Sequence, residues 1–247
     1  MAGRSLTYFV SDVHLGLDVK DPADREARFV AFLRSIPAQQ TEALWMLGDI
    51  WDFWYEYRDV VPRGYVRVLS ALMDLVDAGV KVHLIPGNHD IWCYSYLQSL
   101  GIEVTEQPQG TMIGGQCFYL GHGDGLGEGM RSYKAMRWMF HNRFLQRAFS
   151  CLHPWLAYRL GTGWSKNSRL AKNVEYVFRD ADEPLYKYSE EVSRQQKVDH
   201  FVYGHFHASV RLTLPSGADF LILKDWMDSS PYAVFDGQSL TVSSFQA

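Results

Sequence analysis

The chain has 247 residues, of which 47% are hydrophobic and 21% charged, values that argue against a disordered chain and allow one sizeable α/β domain. Its formal net charge of −4 gives no general attraction to a polyanion, so no nucleic-acid partner is expected. The three cysteines include no C-x-x-C pair, which supports neither a zinc ribbon nor a disulfide framework and favours a reducing compartment.

The first half of the chain alternates strand-like and helix-like patterns. Short apolar runs at residues 8–10, 44–47 and 80–85 predict three strands. The stretches between them carry apolar residues at helical spacing, namely Phe29, Phe32, Leu33 and Ile36, and then Val68, Leu69, Leu72, Leu75 and Val76. This βαβαβ order predicts a parallel sheet with helices packed on it, so side chains that follow the strands should meet at one edge.

The second half of the chain contains more strand-like runs. They lie at residues 111–113, 116–120, 201–203, 210–214, 220–223, 232–235 and 240–243. Ser216-Gly217 and Asp236-Gly237 are typical of hairpin turns. The runs predict a second sheet, or mixed strands that flank the first sheet.

Residues 127–197 interrupt the series of strand-like runs, because they show no strand alternation and have a helical pattern. Large apolar residues recur between residues 133 and 160, with arginines threaded among them. We predict a single domain over residues 1–247, with residues 127–197 as a helical insertion, or cap, within it.

Each of five strand-like runs is followed by residues of the types that bind metal ions. The blocks are Asp12-Val13-His14, Gly48-Asp49, Gly87-Asn88-His89-Asp90, Gly121-His122-Gly123-Asp124 and Gly204-His205-Phe206-His207. A lone Gly-Asp is usually a turn, but five such blocks after strands predict one shared site. Carboxylate, imidazole and amide oxygen suit Mn, Fe, Zn or similar ions. Seven candidate ligands are too many for one ion and fit two ions that share a carboxylate, the arrangement used for in-line displacement at phosphorus.

The order of these blocks resembles the pattern of the calcineurin-like metallophosphoesterase superfamily, which is D-x-H, GD, GNH(D/E), a lone His and GH-x-H. The blocks span residues 12–207, which is most of the chain. The resemblance implies an α/β fold, a four-layer α-β-β-α sandwich of the metallophosphoesterase type with the helical insertion as its cap. The implied ligands are Asp12, His14 and His207 at the first metal, Asn88, His122 and His205 at the second, and Asp49 as the bridge.

The third block also supplies the catalytic candidates, which are Asn88, His89 and Asp90. In the superfamily, the His after the Asn ligand lies near the substrate phosphate. The resemblance therefore implies that His89 acts as a general acid or as a cation that stabilises developing charge. Asp90 is expected to orient the ring of His89, as carboxylates do for histidines at metal sites. Asp124 has either a similar role or that of a solvated loop residue.

Within the superfamily, the chain resembles the UDP-2,3-diacylglucosamine pyrophosphatases, hydrolases of the lipid A pathway. The resemblance covers segments 10–15, 47–54 and 122–126, and the helical run with Tyr133, Arg137 and Leu145-Gln146-Arg147. It implies cleavage of UDP-2,3-diacylglucosamine to UMP and 2,3-diacylglucosamine 1-phosphate with two divalent ions, of which Mn²⁺ is the expected species. The implied substrate-binding residues are Asn88, His89, Ser165, Arg169, Lys172 and His205.

Three positions depart from the pattern of that family. It typically carries Arg where this chain has His89, an acidic residue near Met130, and a small polar residue where this chain has Arg169. A different phosphodiester or nucleotide-sugar pyrophosphate therefore stays open as the substrate. A metal-bearing scaffold without turnover is a further alternative.

The apolar residues and arginines of the insertion suit a lipid with an anionic head group, and also a membrane surface. No window approaches the roughly 18 uninterrupted apolar residues of a membrane span. The N-terminus lacks the pattern of a signal peptide. We therefore expect a cytoplasmic protein that associates peripherally with the inner membrane. The oligomeric state is not predicted by the sequence.

Overall fold

The first half of the chain folds as the alternation of patterns predicts. The computed structural model describes residues 3–127, 131–170 and 177–246. Its first elements are β1 (Leu6–Val10), α1 (Pro22–Ser35), β2 (Thr41–Met46), α2 (Val66–Asp77) and β3 (Lys81–Leu84). Strands β1, β2 and β3 pair in parallel, so their carboxyl ends lie at the same edge of the sheet.

In the described part of the chain, eight further strands complete two sheets. After a short helix, α3 (Tyr96–Ser99), they are β4 (Ile102–Val104), β5 (Gln109–Ile113), β6 (Gln116–Leu120), β7 (His200–Tyr203), β8 (Val210–Thr213), β9 (Asp219–Ile222), β10 (Pro231–Phe235) and β11 (Leu240–Ser244). The first sheet has the order β11-β10-β1-β2-β3-β4, and the second has the order β5-β6-β7-β9-β8. In the second sheet β6, β7 and β9 are parallel, so their carboxyl ends also share one edge.

The alternation of side chains along the strands separates two apolar cores. In β1, Phe9 lies between the sheets and stacks on Phe118, with ring centroids 5.5 Å apart. Its neighbour Val10 lies in the other core, where Phe29 and Phe32 of α1 are buried. The first sheet is therefore covered by helices on one face and by the second sheet on the other.

Among the residues that the structure describes, four longer helices follow β6. They are α4 (Arg131–His141), α5 (Arg143–Ser150), α6 (Pro154–Leu170) and α7 (Pro184–Gln195), with a 3₁₀ turn at Asp180–Asp182 before α7. Leu185 and Tyr186 of α7 pack with Phe201 and Phe220 of the second sheet, so α7 forms the fourth layer. The predicted four-layer α-β-β-α sandwich is confirmed.

The helices α4, α5 and α6 are called the cap helices below. They lie within residues 127–197, whose assignment as an insertion stays a prediction, while α7 at the end of that range belongs to the sandwich. Among the described residues, no helix is both long and apolar enough to cross a bilayer.

Candidate metal centre

The carboxyl ends of both sheets converge on one site. Asp12 and His14 follow β1, and Asp49 follows β2. Backbone hydrogen bonds join these two segments, since the Asp12 amide donates to Gly48 O at 3.0 Å and the His14 amide donates to Asp49 O at 2.9 Å. The other predicted ligands follow β3, β6 and β7 and are Asn88, His122, His205 and His207.

The carboxylate and imidazole ligands form two groups, each with ligand atoms within 4.8 Å of one another. The groups are Asp12, His14 and His207, and Asp49, His122 and His205. Asp49 lies between them, because its Oδ2 atom is 3.2 Å from His122 Nε2 and 3.8 Å from His14 Nε2. This is the position of a carboxylate that two cations can share.

Two buried oxygens in the site fit a cation. Asp12 Oδ1 and Asn88 Oδ1 accept no hydrogen bond from any residue that the structure describes. A buried acceptor without a donor costs about 1–3 kcal/mol. A divalent cation coordinated by these oxygens would satisfy both of them, so the donor set of this chain fits metal binding.

The backbone at the site is held in an uncommon conformation. Five of the predicted ligands have φ in the left-handed region: Asp12 (52°), His14 (50°), Asp49 (52°), His205 (71°) and His207 (53°). Such a conformation costs about 1–3 kcal/mol at each residue that is not glycine, and it persists where the surrounding structure enforces it. The turns after the strands therefore fix the direction of the ligands before any ion binds.

Two glycines allow this crowding. A Cβ atom at Gly87 would clash with the carboxylate of Asp49. A Cβ atom at Gly204 would clash with Ser11 Oγ and with the carboxylate of Asp12. Glycine is required at both positions because another segment of the site approaches its Cα directly.

Hydrogen bonds to the second ring nitrogen orient the histidines. Asp225 Oδ2 lies 2.9 Å from His207 Nδ1, and the carbonyl of Leu47 accepts a hydrogen bond from His122 Nδ1 at 2.8 Å. Both bonds leave Nε2 to face the site, which is the usual arrangement behind metal-bound histidines. Sequence reasoning gave Asp225 no role, although Asp225 closely follows the predicted strand at residues 220–223.

We expect Asp225→Ala to weaken Mn²⁺ binding about 10–100-fold, the usual cost of removing such a carboxylate. The ring of His207 would lose the partner that fixes its orientation. Calorimetric titration with Mn²⁺ measures this change. The control is Asp228→Ala, since Asp228 lies on the same loop but is exposed and paired with Lys20. Equal affinities in the two variants would remove Asp225 from the site.

The role of Asp90 differs from the expectation that it orients His89. Its carboxylate is buried and accepts hydrogen bonds from the backbone amides of Gly87 at 2.7 Å, Ile50 at 2.7 Å and Asp49 at 3.2 Å. Burial and the nearby charge of Asp49 raise the pKa of Asp90 to about 6. Asp90 therefore fastens the loops after β2 and β3 to each other, because amides that no strand ladder satisfies need an acceptor.

His89 is oriented by the backbone instead. Its Nδ1 lies 2.9 Å from the carbonyl oxygen of Asp52, which can only accept, so Nδ1 carries a proton and Nε2 is left for substrate or for a further proton. Its amide donates to Asp49 Oδ1 at 2.9 Å. These contacts place the His89 ring beside the carboxylate of Asp49, with Nε2 3.9 Å from Oδ2, where an acid or a cation could act on a substrate phosphate.

Asp52 has a part in the site that sequence reasoning did not assign. Its carboxylate is buried, with Oδ1 3.5 Å from His14 Nδ1. Its other oxygen, Oδ2, accepts a hydrogen bond from Ser165 Oγ at 2.7 Å. Ser165, predicted to bind substrate, is thus engaged with the protein, and Asp52 joins a cap helix to a predicted ligand.

The carboxylates and imidazoles at the centre of the site shift the pKa values of one another. Burial raises the pKa of Asp12 above its ordinary value. Burial also opposes ionisation of Asp49, but the imidazoles of His122 and His89 outweigh it and hold the pKa of Asp49 well below the usual range. Burial would lower the pKa of His122, yet Asp49 and Asp12 raise it well above the ordinary value. A cation that binds here would compete with protons for these side chains.

A small, mostly apolar cleft, with a cavity volume of about 70 Å³, opens beside the candidate metal centre. The residues that line it are Asp52, Phe53, Asn88, His89, Trp92, Met136, Phe140, Gly161, Trp164 and Ser165. The cleft therefore combines the polar groups of the site with aromatic walls from the core and from the cap helices. Met130, Lys172 and the side chain of Arg169 lie outside the described residues.

Comparisons with known proteins identify relatives of the chain. The model of the calcineurin-like phosphoesterase family matches residues 6–209. The chain is 35% identical to a UDP-2,3-diacylglucosamine hydrolase of Porphyromonas gingivalis over 98% of each chain. It is 28% identical to a protein of the same name from Neisseria meningitidis over 89% of each chain.

One solved structure supports the fold alone. It is a dimetal phosphatase from Danio rerio, 16% identical, with a TM-score of 0.50 over 98% of this chain and 96% of that one. The predicted superfamily and the predicted metal-dependent hydrolase are confirmed by these findings together. The chain belongs to the calcineurin-like phosphoesterase family.

Proposed function

We propose that the chain hydrolyses the pyrophosphate bond of UDP-2,3-diacylglucosamine and releases UMP and 2,3-diacylglucosamine 1-phosphate. The observation that carries this proposal is the apolar cleft that opens directly beside Asn88 and His89. A substrate with acyl chains next to a pyrophosphate needs both surfaces within a few ångströms of each other. Similarity along the whole chain to the hydrolase of Porphyromonas gingivalis supports the same substrate.

The proposal includes two divalent ions, with Mn²⁺ as the species used. Asp12, His14 and His207 would hold one ion, Asn88, His122 and His205 the other, and Asp49 both. When bound, such ions neutralise phosphate charge and supply a nucleophile at neutral pH. The buried acceptors Asp12 Oδ1 and Asn88 Oδ1 support this assignment.

The side chains of the protein would position and protonate the substrate. His89 Nδ1 donates a hydrogen bond to the Asp52 carbonyl, which leaves Nε2 on the opposite side of the ring. His89 also lines the cleft, in which the lipid phosphate would lie. Attack at the phosphorus of the UMP unit makes that lipid phosphate the leaving group. His89 would donate a proton to the leaving oxygen or offset its charge, and Asp52 would keep the ring in place.

The outer face of the cap helices supports a peripheral association with a membrane. Its exposed side chains include Trp138, Phe144 and Trp155, whose exposed fractions are 67%, 77% and 63%. Arg159 lies over the ring of Trp155, with Cζ 5.4 Å from the centroid. Aromatic side chains interleaved with arginines suit the interface between acyl chains and anionic head groups. The substrate would then enter the cleft from the bilayer surface.

The proposal is tested by Mn²⁺-dependent release of UMP from UDP-2,3-diacylglucosamine in detergent micelles, with bis-p-nitrophenyl phosphate as a generic diester. Strong UMP release with a poor rate on the diester supports the substrate. Hydrolysis of the diester without UMP release would keep the metal-dependent phosphoesterase and discard this substrate.

Trp164→Ala should raise KM for the lipid substrate about ten-fold and leave the rate on bis-p-nitrophenyl phosphate unchanged. Trp164 lines the cleft and packs against Phe140, with ring centroids 4.6 Å apart. Loss of about 1.4 kcal/mol of apolar contact corresponds to that factor. Steady-state kinetics on both substrates measure the difference. The control is Met73→Ala on α2, a partly exposed residue that does not line the cleft. An equal loss on both substrates would contradict a role in lipid binding.

A further inference from the structure

The cap helices are attached to the core at segments that directly follow predicted metal ligands. Residues 52–57 come after the bridging Asp49, and Asp124 comes two residues after His122. Each of the three cap helices makes a hydrogen bond to one of these segments. Segments that follow predicted metal ligands therefore also hold the cap helices.

The first attachment reaches a predicted ligand through one carboxylate. Ser165 Oγ on α6 donates to Asp52 Oδ2 at 2.7 Å, and the other oxygen of Asp52 lies 3.5 Å from His14 Nδ1. Ser165 is only 5% exposed and Asp52 only 4%. A hydrogen bond to a buried carboxylate is among the stronger ones in proteins, because water does not compete for it.

The second attachment continues along the same segment. The hydroxyl of Tyr158 on α6 donates to the carbonyl of Tyr55 at 3.0 Å, and the hydroxyl of Tyr55 lies 2.8 Å from the carbonyl of Gln146 on α5. A Cβ atom at Gly161 would clash with the ring of Phe53, so α6 lies directly on this segment. Residues 52–57 thus contact two of the cap helices, α5 and α6.

The third attachment belongs to the other half of the metal centre. Arg137 Nη1 on α4 donates to Asp124 Oδ2 at 2.7 Å, and the Asp124 carboxylate is buried. Gln107 holds the same loop, since its Oε1 accepts a hydrogen bond from the His122 amide at 2.8 Å. The cap is therefore fastened to both halves of the site.

We infer that the position of the cap is coupled to the occupancy of the metal centre, with Ser165 and Arg137 as the positioning residues that carry the coupling. A cation that orders the segments after Asp49 and His122 also orders the partners of Ser165 and Arg137. Coupling between two sites is reciprocal, so loss of these contacts must weaken metal binding in turn. The inference rests on the metal centre of the proposed function and not on its substrate.

The assignment changes the interpretation of Ser165. The resemblance to the pyrophosphatase family implies a contact with substrate, whereas the structure engages the Ser165 hydroxyl with Asp52. A residue that contacts only substrate would affect KM and leave the protein without substrate unchanged. A positioning residue changes the cap and the metal affinity when no substrate is present.

The test is hydrogen–deuterium exchange of the full chain without substrate, with and without saturating Mn²⁺. In the wild-type protein, Mn²⁺ should slow exchange of the amides of residues 135–165 about ten-fold, within the range typical of coupled sites. Ser165→Ala and Arg137→Ala together should remove most of this slowing and weaken Mn²⁺ binding by a similar factor. Ser165→Thr combined with Arg137→Ala retains the hydroxyl at position 165, so it should recover part of the slowing by Mn²⁺.

A matched control is Phe144→Ala, because Phe144 lies on cap helix α5 but is 77% exposed. It should keep the full effect of Mn²⁺. Equal exchange of the cap with and without Mn²⁺ in the wild-type protein would overturn the coupling. If Mn²⁺ slows exchange in the double variant as much as in the wild type, Ser165 and Arg137 do not carry the coupling. If the double variant fails to fold, the same measurement is made on Ser165→Ala and on Arg137→Ala separately. The exchange experiment uses no substrate, so its outcome does not depend on whether the protein releases UMP from the proposed substrate.

Discussion

Asp49→Asn should abolish hydrolysis of the lipid substrate and of the generic diester alike. Asp49 Oδ2 lies within 4 Å of His14 Nε2 and His122 Nε2, one from each group of predicted ligands. Asn keeps the shape and can still accept the hydrogen bond from the His89 amide, but it removes the charge that two cations would share in the proposed site. We expect turnover to fall by about a thousand-fold or more, the scale of losing one preorganised electrostatic group.

Metal analysis separates this effect from misfolding. The variant should retain its secondary structure and lose bound Mn²⁺ after dialysis, whereas Asp74→Asn, a change of the same kind at an exposed position on α2, should retain both metal and activity. A variant that binds two ions as the wild type does would place the bridge elsewhere.

His89→Ala should lower turnover about 10²–10⁴-fold, the usual contribution of a positioned acid or base, with metal content unchanged. The reason is the position of the ring, which is held by the Asp52 carbonyl at the edge of the cleft. The structure offers a competing role, because ligand atoms of His14, Asp49 and His89 also lie within 4.8 Å of one another. Loss of an ion from His89→Ala would show that His89 is a ligand.

His89→Arg distinguishes the two roles proposed for His89, which are proton donation and charge stabilisation. Arg keeps a positive charge but does not release a proton near neutral pH. Retained turnover would identify charge stabilisation, and turnover as low as in His89→Ala would identify proton donation. The wild-type protein and His89→Ala, assayed with the same substrate, are the two reference points.

Most of the fold could be predicted because periodic apolar patterns mark long elements. The described strands of both sheets other than β4, and the described helices within residues 127–197, were found in this way. Strand β4 was missed, since of its three residues only Ile102 is buried and no alternation can be recognised. The sequence also did not show that α7 belongs to the sandwich and not to the cap. A helix on the outer face of a sheet has the same spacing of apolar residues as a helix in a cap.

The predicted metal ligands came from one rule, that side chains after parallel strands meet at one edge. The same rule would have found Asp225, which comes after β9. The contacts of Asp90 with Ile50 and of Asp52 with Ser165 could not be predicted, because they join segments far apart in the chain and carry no local pattern. Sequence spacing identifies residues that face a site, while the partner of each buried carboxylate depends on how the loops pack.

Each of the two groups of predicted ligands takes residues from both sheets of the fold. Asp12, His14, Asp49 and Asn88 follow strands of the first sheet, whereas His122, His205 and His207 follow strands of the second. Cations held between them would be a cross-link between the two halves of the sandwich, comparable to a staple closed over long loops of chain. Separation of the sheets would then require release of the ions, so the same atoms that perform the chemistry would add to the cohesion of the whole domain.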